Sequence, residues 1–509
     1  MPSTHDPEVA RLASGVLMPG FSGTEVPDWL ARAAQEGLGG VCLFAANVGD
    51  DVSALTSELH GIRADLVVAS DEEGGEVTRI EAASGSSWPG HAALGRLDDL
   101  DATRRIARAI GQRSRAAGVD LVLAPDVDVT SNPDNPVIGL RSFGADPALV
   151  SRHAAAFVEG LRQAGVAACA KHFPGHGDTR TDSHVGLPVI DADTATLQRR
   201  DLPPFAAAVA AGADAVMTAH VVFPALDISP ATLSPTVLAL LREDLGFGGV
   251  IVSDALDMQA ISAGVGRGQG AVLALAAGVD LVCIGNPNHP APYDDEAVFH
   301  EVRDAVVQAV IAGRLTRERL TGAAQRVRAM AQRVARDGSH EDRDERVGRA
   351  AADDAADGPD VAQELALSVA RRVLESQGSA RAAAPLHVLD LRGAPNPAAG
   401  PRPSGVMTAL RSRVSDVTVH QVAAHPEPLF AVVAAMADAA SASLVVLTGS
   451  PHRSPGRQRL LDSVIRARPD VVVVATGLPD DRDRLGEHWV RSWGDSLPAG
   501  TAVADLLLR

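Results

Sequence analysis

Eight short apolar runs recur through the first 285 residues, with helical patterns between them. They are Gly15–Met18, Gly40–Phe44, Leu66–Ser70, Leu121–Ala124, Ala167–Lys171, Ala215–His220, Val250–Ser253 and Leu281–Ile284. A strand buried on both faces reads as a near-continuous hydrophobic run, and helices between such strands imply a parallel sheet. Eight strand–helix units within roughly 330 residues point to a (β/α)8 TIM-like barrel. A doubly wound open sheet is the alternative arrangement of the same pattern. No internal repeat is evident.

The residues at the end of each run narrow the possibilities. Asp71 comes after the third, Asp126 and Asp128 after the fourth, Lys171 and His172 close the fifth, His220 the sixth, and Asp254 comes after the seventh. Chains return to water at strand ends, which accounts for one or two charges. Titratable residues at five of eight strand ends fit a barrel enzyme better, because such enzymes build their sites at the C-terminal face.

Past a helical pattern over Glu301–Ala335, the stretch His340–Pro359 is dense in charge and ends in Gly-Pro, as an exposed linker would. Strand-like runs resume at Leu386–Leu391, Val417–Val419, Leu444–Leu447 and Val471–Ala475, with helical patterns between. The expected organisation is a catalytic barrel over 1–337, a charged linker over 338–360 and a smaller α/β domain over 361–509. The later strand ends carry Gly449 and Gly477 but no dense titratable cluster.

Composition excludes several partners. A formal net charge of −18 disfavours nucleic acid and anionic membrane surfaces, which need basic protein surface. An anionic small molecule stays possible at a locally basic site. Cys42, Cys169 and Cys283 sit in apolar runs and read as buried thiols of a reducing compartment. The N-terminal MPSTHDPEVARLA lacks a basic segment followed by an apolar run, and no apolar stretch is long enough to span a bilayer. A cytoplasmic location is expected.

The richest segment is KHFPGHGDTRTDSH, Lys171–His184, with one Lys, three His and two Asp in a loop punctuated by Pro174, Gly175 and Gly177. It suits general acid/base catalysis by a histidine oriented by a carboxylate, or a metal site from His172, His176, His184 and the aspartates. A polar loop capped by its own side chains is the plain alternative. In Asp182-Ser183-His184 the carboxylate can accept a ring N–H if the turn bends back. In GGVIVSDALDM, Asp254 ends a buried strand and is the better nucleophile; Asp257, three residues on, is expected to face solvent or cap a helix. SDEEGGEVTR offers Asp71 and Arg79, and NPVIGLRSFG offers Arg141. Of 46 basic residues only Lys171 is a lysine. A compact ammonium is not interchangeable with a guanidinium, so its place at a strand end counts against a chance remnant.

The strings DEEGGEVTR, IGLRSFG, KHFPGHGDTRTDSH, LPPFAAAVAAGADAVMTAHVVFPALD and LSPTVLALLREDLGFGGVIVSDALDM together resemble glycoside hydrolase family 3, in its β-N-acetylglucosaminidase branch. The resemblance covers most of residues 10–335. More loosely, the C-terminal part resembles the αβα sandwich of longer members. The resemblance implies a retaining mechanism with Asp254 as nucleophile, His184 as general acid/base and Asp182 as its partner. It implies that Asp71, Arg79, Arg141, Lys171 and His172 hold a terminal N-acetylglucosamine, with no cofactor and no metal. Two positions depart from the family pattern: Ala255, where Asp is commoner, and Glu76, where Arg is usual.

Retaining hydrolysis usually pairs two carboxyl groups about 5–5.5 Å apart. A histidine in place of one has a reference pKa of about 6.5, near operating pH without burial. It also does not repel an anion, so phosphate is an alternative acceptor to water and a phosphorylase an alternative activity. The leading expectation is a cytoplasmic exo-β-N-acetylglucosaminidase that acts on peptidoglycan fragments in cell-wall recycling. A metal-dependent barrel hydrolase and a catalytically silent sugar-binding protein are the alternatives of other classes.

Overall fold

The computed structural model describes residues 6–49, 51–183, 185–287, 293–338, 359–393, 396, 398–422 and 442–509. The chain divides into two compact units. The first is Met1–Glu73, Thr103–Pro136 and Ala145–Gly358; the second is Gly74–Ala102, Val137–Gly144 and Pro359–Arg509. Nearly all of the expected linker lies outside the described residues. Among the described residues no helix is long and apolar enough to cross a membrane.

In the first unit each of the eight apolar runs overlaps a strand: β1 Leu17–Pro19, β2 Gly40–Leu43, β3 Val67–Ser70, β4 Leu121–Val122, β5 Ala167–Phe173, β6 Ala215–Thr218, β7 Val250–Val252 and β8 Val282–Gly285. Strands β2 to β7 form one parallel sheet in chain order, and β8 pairs with β1. Two seams join these pieces. Ser253 N donates to Leu281 O at 3.0 Å and Leu281 N to Ile251 O at 3.1 Å, linking β7 to β8. Gly39 N donates to Ser14 O at 3.0 Å, linking β1 to β2. A Cβ on Gly39 would lie 2.6 Å from Gly15 O, so the second seam requires glycine there.

Alternate residues of every strand point inward. Met18, Cys42, Val67, Ala69, Leu121, Leu123, Ala167, Cys169, Ala215, Met217, Val250, Val252, Leu281 and Cys283 form one buried cluster, the packed interior of a barrel. All three cysteines are buried free thiols, as expected. The helical pattern expected over Glu301–Ala335 resolves into two helices, Asp295–Ile311 and Arg317–Gly338. Gly313, at φ +70°, separates them. Val327, Met330, Ala331 and Val334 recur on one face of the second helix and join the same cluster.

A short recurrence stands at the opposite end of the strands. Gly118-Val119-Asp120 and Gly212-Ala213-Asp214 lie immediately before β4 and β6, and Gly278-Val279-Asp280 one residue before β8, each glycine at positive φ. Each aspartate accepts a backbone N–H of the neighbouring odd strand: Val68 at 2.9 Å, Ala168 at 3.2 Å and Ile251 at 3.1 Å. Arginines or a histidine close the remaining lone pairs. Arg242, Arg319 and Arg326 converge on the wholly buried Asp280, Arg333 pairs with Asp214, and His60 with Asp120.

The second unit contains a six-stranded sheet: β9 Glu375–Gln377, β10 Leu386–Asp390, β11 Val417–Gln421, β12 Ser443–Thr448, β13 Val472–Ala475 and β14 Trp489–Arg491, in the order 9-14-13-12-10-11. All pairs are parallel except β9–β14. Apolar clusters cover both faces, as a sheet between helical layers requires. At its strand ends Arg392 closes a buried pair of carboxylates, Asp390 and Asp495.

Candidate active site

The loops after β3, β4, β5 and β7 bring titratable groups together at the C-terminal face of the barrel. Lys171 lies near the end of β5 and is almost wholly buried. Its Nζ donates to Asp71 Oδ1 at 2.7 Å and pairs with Glu73 Oε1 at 2.8 Å. Both carboxylates come from the loop after β3, two residues apart, as side chains on one face of an extended segment would be. A buried ammonium needs such partners, since desolvation of an unpaired charge is costly.

Beside it, His172 Nδ1–H donates to Asp128 Oδ2 at 2.8 Å, and His176 N–H donates to Asp128 Oδ1 at 2.6 Å. Burial alone would push the Asp128 carboxyl up, but the His172 hydrogen bond and the two histidines hold it below the usual carboxylate range. Asp128 thereby fixes the ring of His172. Asp126, Asp128 and His172 have oxygen and nitrogen atoms within 4.8 Å of one another, the donor set of a cation site. A cation there would compete with the ring N–H that Asp128 accepts.

His176 continues the loop. Its Nε2 lies 3.2 Å from Ser183 Oγ, and burial pushes its pKa down to about 4 against the pull of Asp128. Asn135 Nδ2 donates to His176 O at 2.8 Å. A Cβ on Gly177 would sit 1.7 Å from Val129 O, so only glycine lets this loop lie against the backbone after β4. Asp182 is buried, with its carbonyl accepting from Val185 N and Gly186 N. His184, and with it the expected Asp182–His184 contact, lies outside the described residues.

Asp254 is partly exposed just beyond β7, and its Oδ1 accepts from Ala255 N at 2.8 Å. Three contacts fix the segment around it. His220 Nε2–H donates to Ala255 O at 2.9 Å, and its Nδ1 lies 2.8 Å from Thr232 Oγ1. Leu256 N donates to Cys283 O at 3.1 Å. Ala260 N donates to Ser183 O at 3.3 Å, bringing the Asp182-bearing loop beside it. Asp257 departs from the expectation drawn from the sequence. It neither faces solvent nor caps a helix; it is buried, and Asn286 N donates to its Oδ2 at 2.7 Å. The positive-φ Gly285 makes room for it, since a Cβ there would overlap the carboxylate.

Arg79 and Arg141 belong to the second unit. Arg79 donates to Ala399 O at 3.1 Å and to Ala398 O at 2.7 Å. Arg141 is buried beside its own loop, its carbonyl accepting from the His91 ring. The first unit thus assembles Asp71, Lys171, His172, Asp182 and Asp254. Glu73 and Asp128 join them as site members that the sequence did not single out for a role, and His176 joins them though the sequence offered it only as a metal ligand. Glu73 had a signal in its two-residue spacing from Asp71. Asp128 had one in its strand-end position.

Residues 22–330 match the family model described as glycosyl hydrolase family 3 N terminal domain. A β-hexosaminidase of Thiobacillus denitrificans is 38% identical over 297 residues, covering 55% of this chain and 80% of that protein. β-Hexosaminidase A of Pseudoalteromonas piscicida is 36% identical over 316 residues, and the match spans about half of its length (52%) and 57% of this chain. The solved structure of a glycoside hydrolase family 3 β-N-acetylglucosaminidase from Paenibacillus sp. str. FPU-7 superposes with a TM-score of 0.85 at 32% identity. That superposition covers 98% of this chain and 96% of the other.

Proposed function

Since the chain belongs to glycosyl hydrolase family 3, we propose that it is a retaining exo-β-N-acetylglucosaminidase that releases terminal N-acetylglucosamine through a glycosyl-enzyme intermediate. The observation that carries this reading is the convergence of Asp71, Glu73, Lys171, Asp128 and His172 at the barrel's C-terminal face, with Asp254 just beyond β7. The kinship with β-hexosaminidases and with a β-N-acetylglucosaminidase that superposes over nearly its whole chain supports the sugar class.

In this mechanism the Asp254 carboxylate attacks the anomeric carbon as the glycosidic C–O bond breaks, and His184 gives its proton to the leaving oxygen. His184, oriented by Asp182, then takes a proton from water as that water attacks the anomeric carbon and releases Asp254. Asp71, Lys171, His172, Arg79 and Arg141 hold the terminal sugar. A Lys ammonium clamped by two carboxylates is a fixed donor, and fixed donors lower the cost of orienting a substrate. Residues 1–337 are the proposed catalytic barrel and residues 361–509 its companion domain. The proposed substrates are peptidoglycan fragments met in the cytoplasm.

Hydrolysis of an aryl β-N-acetylglucosaminide by wild type, Asp254→Asn and His184→Ala, with and without phosphate, tests this reading. Turnover in wild type with near-complete loss in Asp254→Asn is expected. Wild-type turnover in Asp254→Asn would sink the mechanism. Phosphate-dependent release of the sugar 1-phosphate would make the enzyme a phosphorylase, and loss of activity on chelation would make it a metallohydrolase.

A further inference from the structure

The resemblance leaves Glu76 unexplained, since arginine is usual at that position. Within the second unit Arg402 Nη2 donates to Glu76 Oε1 at 3.0 Å, and the two side chains are 12% and 23% exposed. The cation at this spot is therefore supplied from 326 residues along the chain. The same stretch makes two further contacts with the two arginine-bearing loops. Arg79 donates to the carbonyls of Ala398 and Ala399. Asn396 Nδ2 donates to Val137 O at 2.6 Å, the carbonyl that also receives Arg141 Nη1 at 3.5 Å. Asn396 O in turn accepts from Ala399 N at 2.9 Å and Gly400 N at 3.0 Å, with Gly400 at φ +71°, so these contacts rise from one tight turn.

We propose that Asn396, Ala398, Ala399 and Arg402 form a positioning arm that sets Arg79 and Arg141 for sugar binding, locked by the Glu76–Arg402 ion pair. This rests on the proposed role of those arginines in holding N-acetylglucosamine. The arm acts through the arginines and touches no reacting atom, so its signature is in KM. A partly buried ion pair has directional partners, and reversing both charges restores the attraction that either single reversal destroys.

The test uses the full chain with Arg402→Glu, Glu76→Arg and the double reversal, read by steady-state kinetics on an aryl β-N-acetylglucosaminide. Hydrogen exchange over residues 74–80 and 137–144 is read alongside. Either single reversal is expected to raise KM about tenfold while kcat changes less than about threefold. Exchange in both loops accelerates, and the double reversal brings KM and exchange back to within about threefold of wild type. A folded Arg402→Glu enzyme with wild-type KM and exchange overturns the proposal, as does a double reversal no better than the worse single. If wild type proves inactive on N-acetylglucosaminides, the functional reading fails. Exchange in the two loops still decides whether the arm positions them.

Discussion

The two ends of the barrel both carry buried or half-buried aspartates, and they differ in what closes them. At the N-terminal end Asp120, Asp214 and Asp280 each accept one backbone N–H from a neighbouring strand and are closed by surrounding Arg or His side chains. At the C-terminal end the carboxylates from β3 and β4 share a lysine and two histidines contributed by a different strand, β5, and its loop. The first arrangement ties strands together and ends there. The second assembles side chains from several strands around one place, as a site must. Burial of charge is therefore not the mark of function in this fold. The mark is convergence from different strands on groups able to move a proton or hold a sugar.

Substitutions at the two ends should separate these roles. Asp254→Asn should lower kcat on the order of 10⁴-fold with no change in melting temperature, measured by kinetics and calorimetry. At the other end, Asp280→Ala strands three arginines around a lost carboxylate. It should destabilise the fold by about 3–5 kcal/mol in denaturant unfolding, while the surviving folded enzyme keeps its kcat. An Asp280→Ala enzyme with intact stability would show that this cluster does not hold the fold.

Lys171→Arg is a sharper probe because it keeps the charge. A guanidinium is wider than the ammonium that Asp71 and Glu73 enclose, so kcat/KM should fall about 100-fold. Wild-type kcat/KM in that variant would show that shape at this position is immaterial.

The last expected effect is on pH dependence. The folded chain refuses a proton at His176 until about pH 4, whereas the unfolded chain takes one near 6.5. Stability is thus unaffected by this group above 6.5. It falls as pH drops from 6.5 toward 4, by up to about 3 kcal/mol. His176→Gln should flatten the slope of melting temperature against pH across that window.

The barrel strands were legible because strands covered on both faces have no polar alternation to interrupt them. The short β9 and β14 were not: Glu375-Ser376-Gln377 is polar throughout, and a three-residue strand gives no period to read. The burial of Asp257 depends on a backbone N–H 29 residues away, which no local pattern announces. The Gly-x-Asp recurrence before β4, β6 and β8 was visible in principle. It is only three residues long and gains meaning once the neighbouring odd strands are known. Asp71, Lys171 and His172 could be picked out by their strand-end positions alone. Arg79 and Arg141 gained a role only through resemblance, and their grouping with a segment near residue 400 has no sequence signal at all.

In the proposed mechanism the C-terminal face of the barrel performs covalent catalysis through Asp254. Incubation with a slow, activated N-acetylglucosaminide followed by peptide mass spectrometry reads that step on the protein itself. The mechanism predicts one N-acetylhexosaminyl adduct on the peptide containing Asp254, absent in Asp254→Asn. An active enzyme with no adduct, or with the adduct on another residue, would contradict it.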